Sequence, residues 1–261
     1  HGGKLKELFI QDQNQKEKFL GEITYEHECS ERNACDVELL IVGAFSPLDG
    51  FMNQNDYLSV IKENRDNKGL LFGLPIVLDT DNEQITIGDK ILLGYKGQSL
   101  AILEVESKWE PDKSSEAKFC YGTNSQDHPA VKMIFHERGR FYLGGKIFGL
   151  ETPKRDFPCK TPKEVRSSLP PNYDVVAFQC RNPIHRAHYE LFTNSLTSEN
   201  VSENSIVLVH PTCGPTQQDD IPGKVRYQTY QKLSEEIANE KIHWAFLPYS
   251  MHMAGPREAL Q

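Results

Sequence analysis

The chain has no cysteine pattern for metal or redox work, no long apolar run and no block of positive charge. Its six cysteines, at 29, 35, 120, 159, 180 and 213, are scattered, with no CxxC pair and no zinc-type spacing. That excludes a zinc finger or a dithiol motif. With no signal peptide in view, the thiols read as reduced and the compartment as cytosol-like. A cytoplasmic protein is therefore expected. His1-Gly2-Gly3 reads as a trimmed or processed start, which leaves an organelle such as a plastid open through a lost targeting segment. No run approaches the roughly 18 apolar residues of a membrane span, so no membrane partner is expected. Lys and Arg number 29 against 37 Asp and Glu, a formal net charge of -8. Sequence-independent nucleic-acid binding needs a clustered cationic face, so no nucleic-acid partner is expected. There are no repeats or low-complexity tracts. What remains is a globular composition of 261 residues, 38% hydrophobic, enough for one large domain or two ordinary ones.

The first part of the chain reads as β-rich and irregular. Leu39-Leu40-Ile41-Val42 is a short apolar run, followed by the turn-heavy segment Gly43 to Phe51. Leu74 to Leu78, Lys90 to Leu93, Ser99 to Val105 and Phe141 to Ile147 read as strands between Gly and Asp turns. Short strands of this kind suggest a small barrel-like β domain with a few helices. The rhythm changes near Asp156–Lys160, which sets the expected boundary between residues 1–158 and 159–261. Thr161-Pro162-Lys163-Glu164 has the form of a capped helix start. Strands at Asp174–Phe178, Ser205–His210 and Ile242–Leu247 then alternate with helices at about Pro183–Leu196 and Lys224–Glu240, and a further helix begins near Gly255. Such alternation means a parallel α/β sheet. Three strands make a small, open sheet, which suggests a fragment of a longer protein.

The densest chemistry lies in Gln179-Cys180-Arg181-Asn182-Pro183-Ile184-His185-Arg186-Ala187-His188. It follows the apolar run Val175 to Phe178, expected to be a buried strand. Ligands of open α/β sheets bind at the carboxyl ends of strands, where this segment falls. Asn182 is a natural N-cap and Pro183 a natural first helical residue. A helix start there would present amides and a positive dipole end to an anion. His185 and His188, three apart, share a face. Arg181 adds a planar fork for phosphate or sulfate oxygens, and Gln179 a neutral donor. Zinc fits poorly, because the two histidines lack the i, i+4 spacing and a third ligand. Cys180 is open to a nucleophilic reading, its pKa lowered by Arg181 and the helix end, but a positioning site needs no covalent intermediate.

The other two strand ends add candidates. His210-Pro211-Thr212-Cys213-Gly214-Pro215-Thr216 reads as a loop over the same edge, either touching substrate or a structural turn. Asp219-Asp220 could suggest a metal but reads first as a solvated acidic loop. After the third strand, Arg257 either faces an anion or pairs with Glu258, and the pair Met251 and Met253 reads as packing.

These residues carry a family resemblance. The segment Gln179 to His188 resembles the nucleotide-binding signature of the ATP sulfurylase (sulfate adenylyltransferase) family. His1-Gly2-Gly3, Gly43 to Leu48, Phe141 to Gly145, Leu208 to Pro211 and Met253 to Glu258 are similar to other family segments in the right order, so the likeness spans the chain. The resemblance implies a PUA-like N-terminal domain followed by a Rossmann-like, nucleotidylyltransferase-type α/β domain, truncated at its C-terminus. It implies the reaction of ATP and sulfate to adenylyl sulfate and pyrophosphate, with no covalent enzyme intermediate. By the matched positions, Gln179 and Arg181 hold sulfate. Gln179, Cys180, Arg181 and Asn182 lie with ATP. Cys180, Arg181, Asn182, His185 and His188 form the catalytic set, in which the histidines stabilise the transition state at the phosphates.

Magnesium is expected to arrive with ATP, held by its phosphates without a protein cage. The family's frequent assembly makes a homo-oligomer the expectation. Two departures stand out: Cys180 occupies a position where the family commonly has Thr, and the family's Gly-Arg-Asp loop falls after the end of these residues. The expectation is that residues 1–261 alone are weakly active. The other reading is a sulfurylase-like binding or regulatory protein.

Overall fold

The computed structural model describes residues 4–251, 254–257 and 260. The features read at His1-Gly2-Gly3, Met253 and Glu258 lie outside them. Two compact units divide the chain: residues 1–153 together with 252–261, and residues 154–251.

The first unit is built on a mixed six-stranded sheet. Its elements are α1 (Gln13–Gly21), β1 (Tyr25–Glu28), α2 (Glu31–Ile41), β2 (Gly50–Phe51), α3 (Gln54–Glu63), β3 (Leu78–Thr80), β4 (Lys90–Tyr95), β5 (Gln98–Trp109), α4 (Lys113–Tyr121), α5 (Pro129–His136) and β6 (Phe141–Gly149). The order is β1-β4-β5-β6-β2, with β3 also on β6. The β1–β4 pair is parallel and the others antiparallel. Alternation drives β4, where Ile91, Leu93 and Tyr95 point inward and their neighbours are half-buried. One assignment is added and one expectation changes. The apolar run Leu39, Leu40 and Ile41 closes the helix α2. Ala34, Val37, Leu40 and Ile41 repeat with a helical period, and the Ser30 side chain accepts from the Asn33 amide to start the helix. In the segment Leu74–Leu78 only Leu78 is in a strand, consistent with Pro75, which has no N–H to give a ladder.

The second unit contains α6 (Pro162–Ser168), β7 (Asp174–Cys180), α7 (Arg186–Ser195), β8 (Ser205–Pro211), α8 (Gly223–Ile237) and β9 (Ile242–Trp244). The expected capping box starts α6: Thr161 Oγ1 accepts from the Glu164 amide, and Glu164 Oε2 accepts from the Thr161 amide. The three strands are parallel in the order β7-β8-β9. Phe192, Val207, Val209 and Ile242 form the core, with Phe178 and Ile184 against it. β7 is an edge strand and not the buried one expected; Val175 is 43% exposed, because among the described residues only β8 flanks it. Residues 252–261 belong to the first unit, and Gly255–Arg257 there form a 3-10 turn where a helix was expected to begin; its continuation through Glu258 lies outside the described residues.

Candidate functional site

The site grows from the carboxyl ends of β7 and β8. These strands run in register, so Gln179 stands beside His210 and Cys180 beside Pro211. The structure thus brings together residues 31 apart in sequence. His210 is the penultimate residue of β8, not part of a following loop. Burial lowers its pKa below the ordinary histidine value, so it is a neutral imidazole. The Gln179 amide donates to Met251 Sδ at 3.0 Å and to the Cys180 carbonyl at 3.2 Å.

The chain between β7 and α7 departs from the expected form. Helix α7 begins at Arg186, not Pro183, and its N-cap residue is His185, not Asn182. The reason is a set of long-range bonds. Arg226 Nη1 donates to the Arg181 carbonyl at 2.8 Å, and the Tyr230 hydroxyl donates to the Asn182 carbonyl at 2.9 Å. Those two carbonyls are turned to α8 and are not the opening of a helix. His185 makes no side-chain capping bond at the start of α7. An uncapped helix start is a receptor for an anion.

His185 and His188 now sit at the N-cap and third positions of α7, with their rings stacked, centroids 3.8 Å apart. His188 also leans on the Phe178 ring, and its Nδ1 is buried with no hydrogen-bond partner among the described residues. Burial first, and then the neighbouring His185, lower the His188 pKa below the ordinary value. An anion that accepts from these rings would reverse that effect.

Arg181 Nε lies 3.3 Å from Asp220 Oδ2, and both side chains are largely buried. Asp220 is therefore not the solvated acid expected; it faces the guanidinium of the signature. Asp219 does remain exposed. The Cys180 thiol is buried, 4.0 Å from the Tyr230 hydroxyl, and burial pushes its pKa up to about 11. The lowered value expected from Arg181 and the helix end does not occur, because desolvation of a thiolate dominates. Cys180 is a protonated packing residue in this cluster, not an activated nucleophile.

Arg257 is not brought to this site. It lies in the first unit, buried. It donates to the carbonyls of Val60, Ile61 and Gly73 at 2.6–3.1 Å, which satisfies the C-terminal end of α3. The expected anion contact is replaced by these three carbonyls, and a pair with Glu258 lies outside the described residues. Met251 is buried as expected for packing, yet its sulfur also receives the Gln179 amide.

The sequence alone does not single out Arg226 and Tyr230, and it gives Asp220 the wrong surroundings. A usable signal existed: Arg226 and Tyr230 are polar, four apart on one helix, and on the face that meets the sheet. Among the described residues, no three His, Cys, Asp or Glu side chains converge as a metal site. The groups on this connection are a guanidinium, imidazoles, a carboxamide and a helix start without a side-chain cap. Together they can hold and orient an oxyanion or polyphosphate.

Comparison with known proteins agrees with this architecture. The family pattern described as PUA-like domain matches residues 1–152, and that described as ATP-sulfurylase matches residues 158–261. The chain is 39% identical over 274 residues to a sulfate adenylyltransferase of Kluyveromyces lactis, covering all of this chain and 53% of that protein. It is 42% identical over 243 residues to a sulfate adenylyltransferase of Schizosaccharomyces pombe, covering 88% and 49%. A similar match to that of Neurospora crassa is 39% identical and covers 100% and 47%. The chain thus spans about half the length of the curated relatives it matches. Among solved structures, one titled hexameric APS kinase from Thiobacillus denitrificans superposes with a TM-score of 0.77 at 22% identity, over 98% of this chain and 48% of that one, a likeness of fold.

Proposed function

The chain belongs to the ATP sulfurylase family, with a PUA-like domain followed by a Rossmann-like parallel α/β domain, and we propose that the whole protein is a sulfate adenylyltransferase. The observation that carries this reading is the β7–α7 connection. Arg181 and Asn182 lead from the carboxyl end of a parallel strand to a helix start that lacks a side-chain cap and carries the stacked His185 and His188.

In the proposed reaction a sulfate oxygen attacks the α-phosphorus of ATP. The new O–P bond forms as the bond to the bridging oxygen breaks, and pyrophosphate carries the electron pair away. Sulfate is already ionised at neutral pH, so no base is needed. Catalysis is orientation and stabilisation of charge. In this reading Gln179 and Arg181 orient sulfate, and Arg181 and Asn182 hold the nucleotide phosphates. His185 and His188 donate to the oxygens that gain charge, and His210 lines the pocket beside Gln179. Magnesium enters as part of the substrate, on the ATP phosphates.

The cytoplasmic, homo-oligomeric character read from the sequence belongs to the same proposal. The hexamer named for the structural relative supports assembly as a reading, and no helix among the described residues is long and apolar enough to cross a membrane.

The test is pyrophosphate release by the whole protein with ATP and magnesium, with and without sulfate. Release stimulated by sulfate is expected, and Arg181→Ala or His188→Ala should lower it by orders of magnitude. Tight ATP binding without sulfate-stimulated release would instead mark a binding or regulatory protein.

A further inference from the structure

Arg226 lies in the first turn of α8 and is wholly buried. A guanidinium cannot shed its charge, so its burial is costly and needs strong compensation. Its bonds go to two main-chain carbonyls rather than to a carboxylate: Nη1 to Arg181 at 2.8 Å and Nη2 to Gly214 at 2.7 Å. Its Nε is buried with no hydrogen-bond partner among the described residues. Arg181 follows β7 and Gly214 follows β8, so one planar group spans the loops of two adjacent strands.

One turn later, Tyr230 is also wholly buried, and its hydroxyl holds the carbonyl of Asn182, the next residue of the signature. Arg226 and Tyr230 are four apart and share a face of α8. The start of α8 is itself pressed onto this region. A Cβ at Gly223 would stand 2.1 Å from the Cys213 carbonyl oxygen, so only glycine lets the helix come this close.

Resting on the adenylyl-transfer reading above, we propose that Arg226 and Tyr230 are positioning residues. They form a clamp on α8 that sets the backbone at 181–182, and with it the aim of the Arg181 side chain and the placement of His185 and His188. Their donors are directed to the backbone, so they act through the signature and not on substrate. A buried charge that meets loop carbonyls and no carboxylate gains no ion-pair attraction, so its retention fits a geometric role. Small misplacement of a substrate-orienting group lowers turnover by about a hundredfold. If the clamp is released, Arg181 still has Asp220 to face, and its aim then follows Asp220.

The test compares Tyr230→Phe, Arg226→Lys and Arg226→Met with the unaltered whole protein. Tyr230→Phe removes one donor at nearly constant volume. Arg226→Lys keeps the charge but cannot bridge two carbonyls in a plane. The expected result is a fall in kcat of roughly 10- to 100-fold with the KM for ATP changed less than about threefold. The His185 and His188 ring resonances should move in each variant, because their stacking depends on the loop. Arg226→Lys should melt closer to the unaltered protein than Arg226→Met does, without recovering its kcat.

Turnover within twofold and unmoved ring resonances in folded Tyr230→Phe and Arg226→Lys would overturn the clamp. So would losses that only track the folded fraction. If the unaltered protein shows no sulfate-stimulated release, the reaction is at fault and the ring resonances alone decide: moved rings support the clamp, unmoved rings overturn it.

Discussion

The imidazoles of His185 and His188 stack with ring centroids 3.8 Å apart and planes inclined by 26°. Two rings this close cannot both take a proton without repulsion, and His188 is held below the ordinary histidine pKa by burial and by His185. A polyphosphate accepting from the pair supplies the missing counter-charge. Binding of pyrophosphate or ATP should therefore make His188 take up protons near pH 6, between its depressed free value and its raised bound value, and less at more acid pH. Calorimetry in buffers of differing ionisation enthalpy measures this directly. A binding heat independent of the buffer at pH 6 would contradict it.

His210 is the second pH-sensitive group. Its folded-state pKa is depressed by burial, so the unfolded chain binds its proton more readily. The sign follows: its stabilisation is present above about pH 6.5 and is lost as pH falls through the depressed folded value. His210→Gln should flatten that part of the dependence. Melting temperatures of the two proteins at pH 7.5 and 5.5 give the comparison, and the unaltered protein should show the larger drop on acidification.

Cysteine reactivity separates packing from chemistry. Cys29, Cys35, Cys120, Cys180 and Cys213 are buried, and Cys159 is partly exposed. Burial pushes Cys180 up to about 11 and Cys213 up to about 12. A thiol reagent at pH 7.5 should modify Cys159 quickly and Cys180 only on the timescale of unfolding. Peptide mapping after brief labelling reads the outcome; rapid labelling of Cys180 would restore the nucleophile reading.

Arg257→Ala should act on stability and not on the anion site. It removes the guanidinium from the carbonyls at 60, 61 and 73, of which that at 60 keeps the Asn64 amide, at a cost of roughly 3 kcal/mol. Denaturant melts should show the first unit weakened, while pyrophosphate affinity of the folded protein stays within about twofold. A large loss of affinity at unchanged stability would return Arg257 to the list of anion ligands.

Local signals in the sequence were read well where the structure is local. Thr161, Pro162 and Glu164 specify a helix start within four residues, and the apolar run Ile91-Leu92-Leu93 between turns specifies a strand. The segment Asn182-Pro183 carries an equally good local signal for a helix start, and the helix begins later. There the deciding bonds come from Arg226 and Tyr230, more than forty residues away. The pairing of Arg181 with Asp220 is hidden for the same reason, since an acidic dipeptide in a loop has no local mark of burial. The signature residues were legible as a cluster of anion-binding types, while the scaffold that aims them is legible only in three dimensions.

The carbonyls that Arg257 satisfies precede it by 184–197 residues. At a ribosomal pace of about 5–20 residues per second, α3 is synthesised roughly 10–40 s before its final hydrogen bonds become available. The nascent first unit thus stays provisional while the entire second unit is translated behind it. Its closure reports that translation has passed residue 257, which makes the order of manufacture part of what the mature fold records.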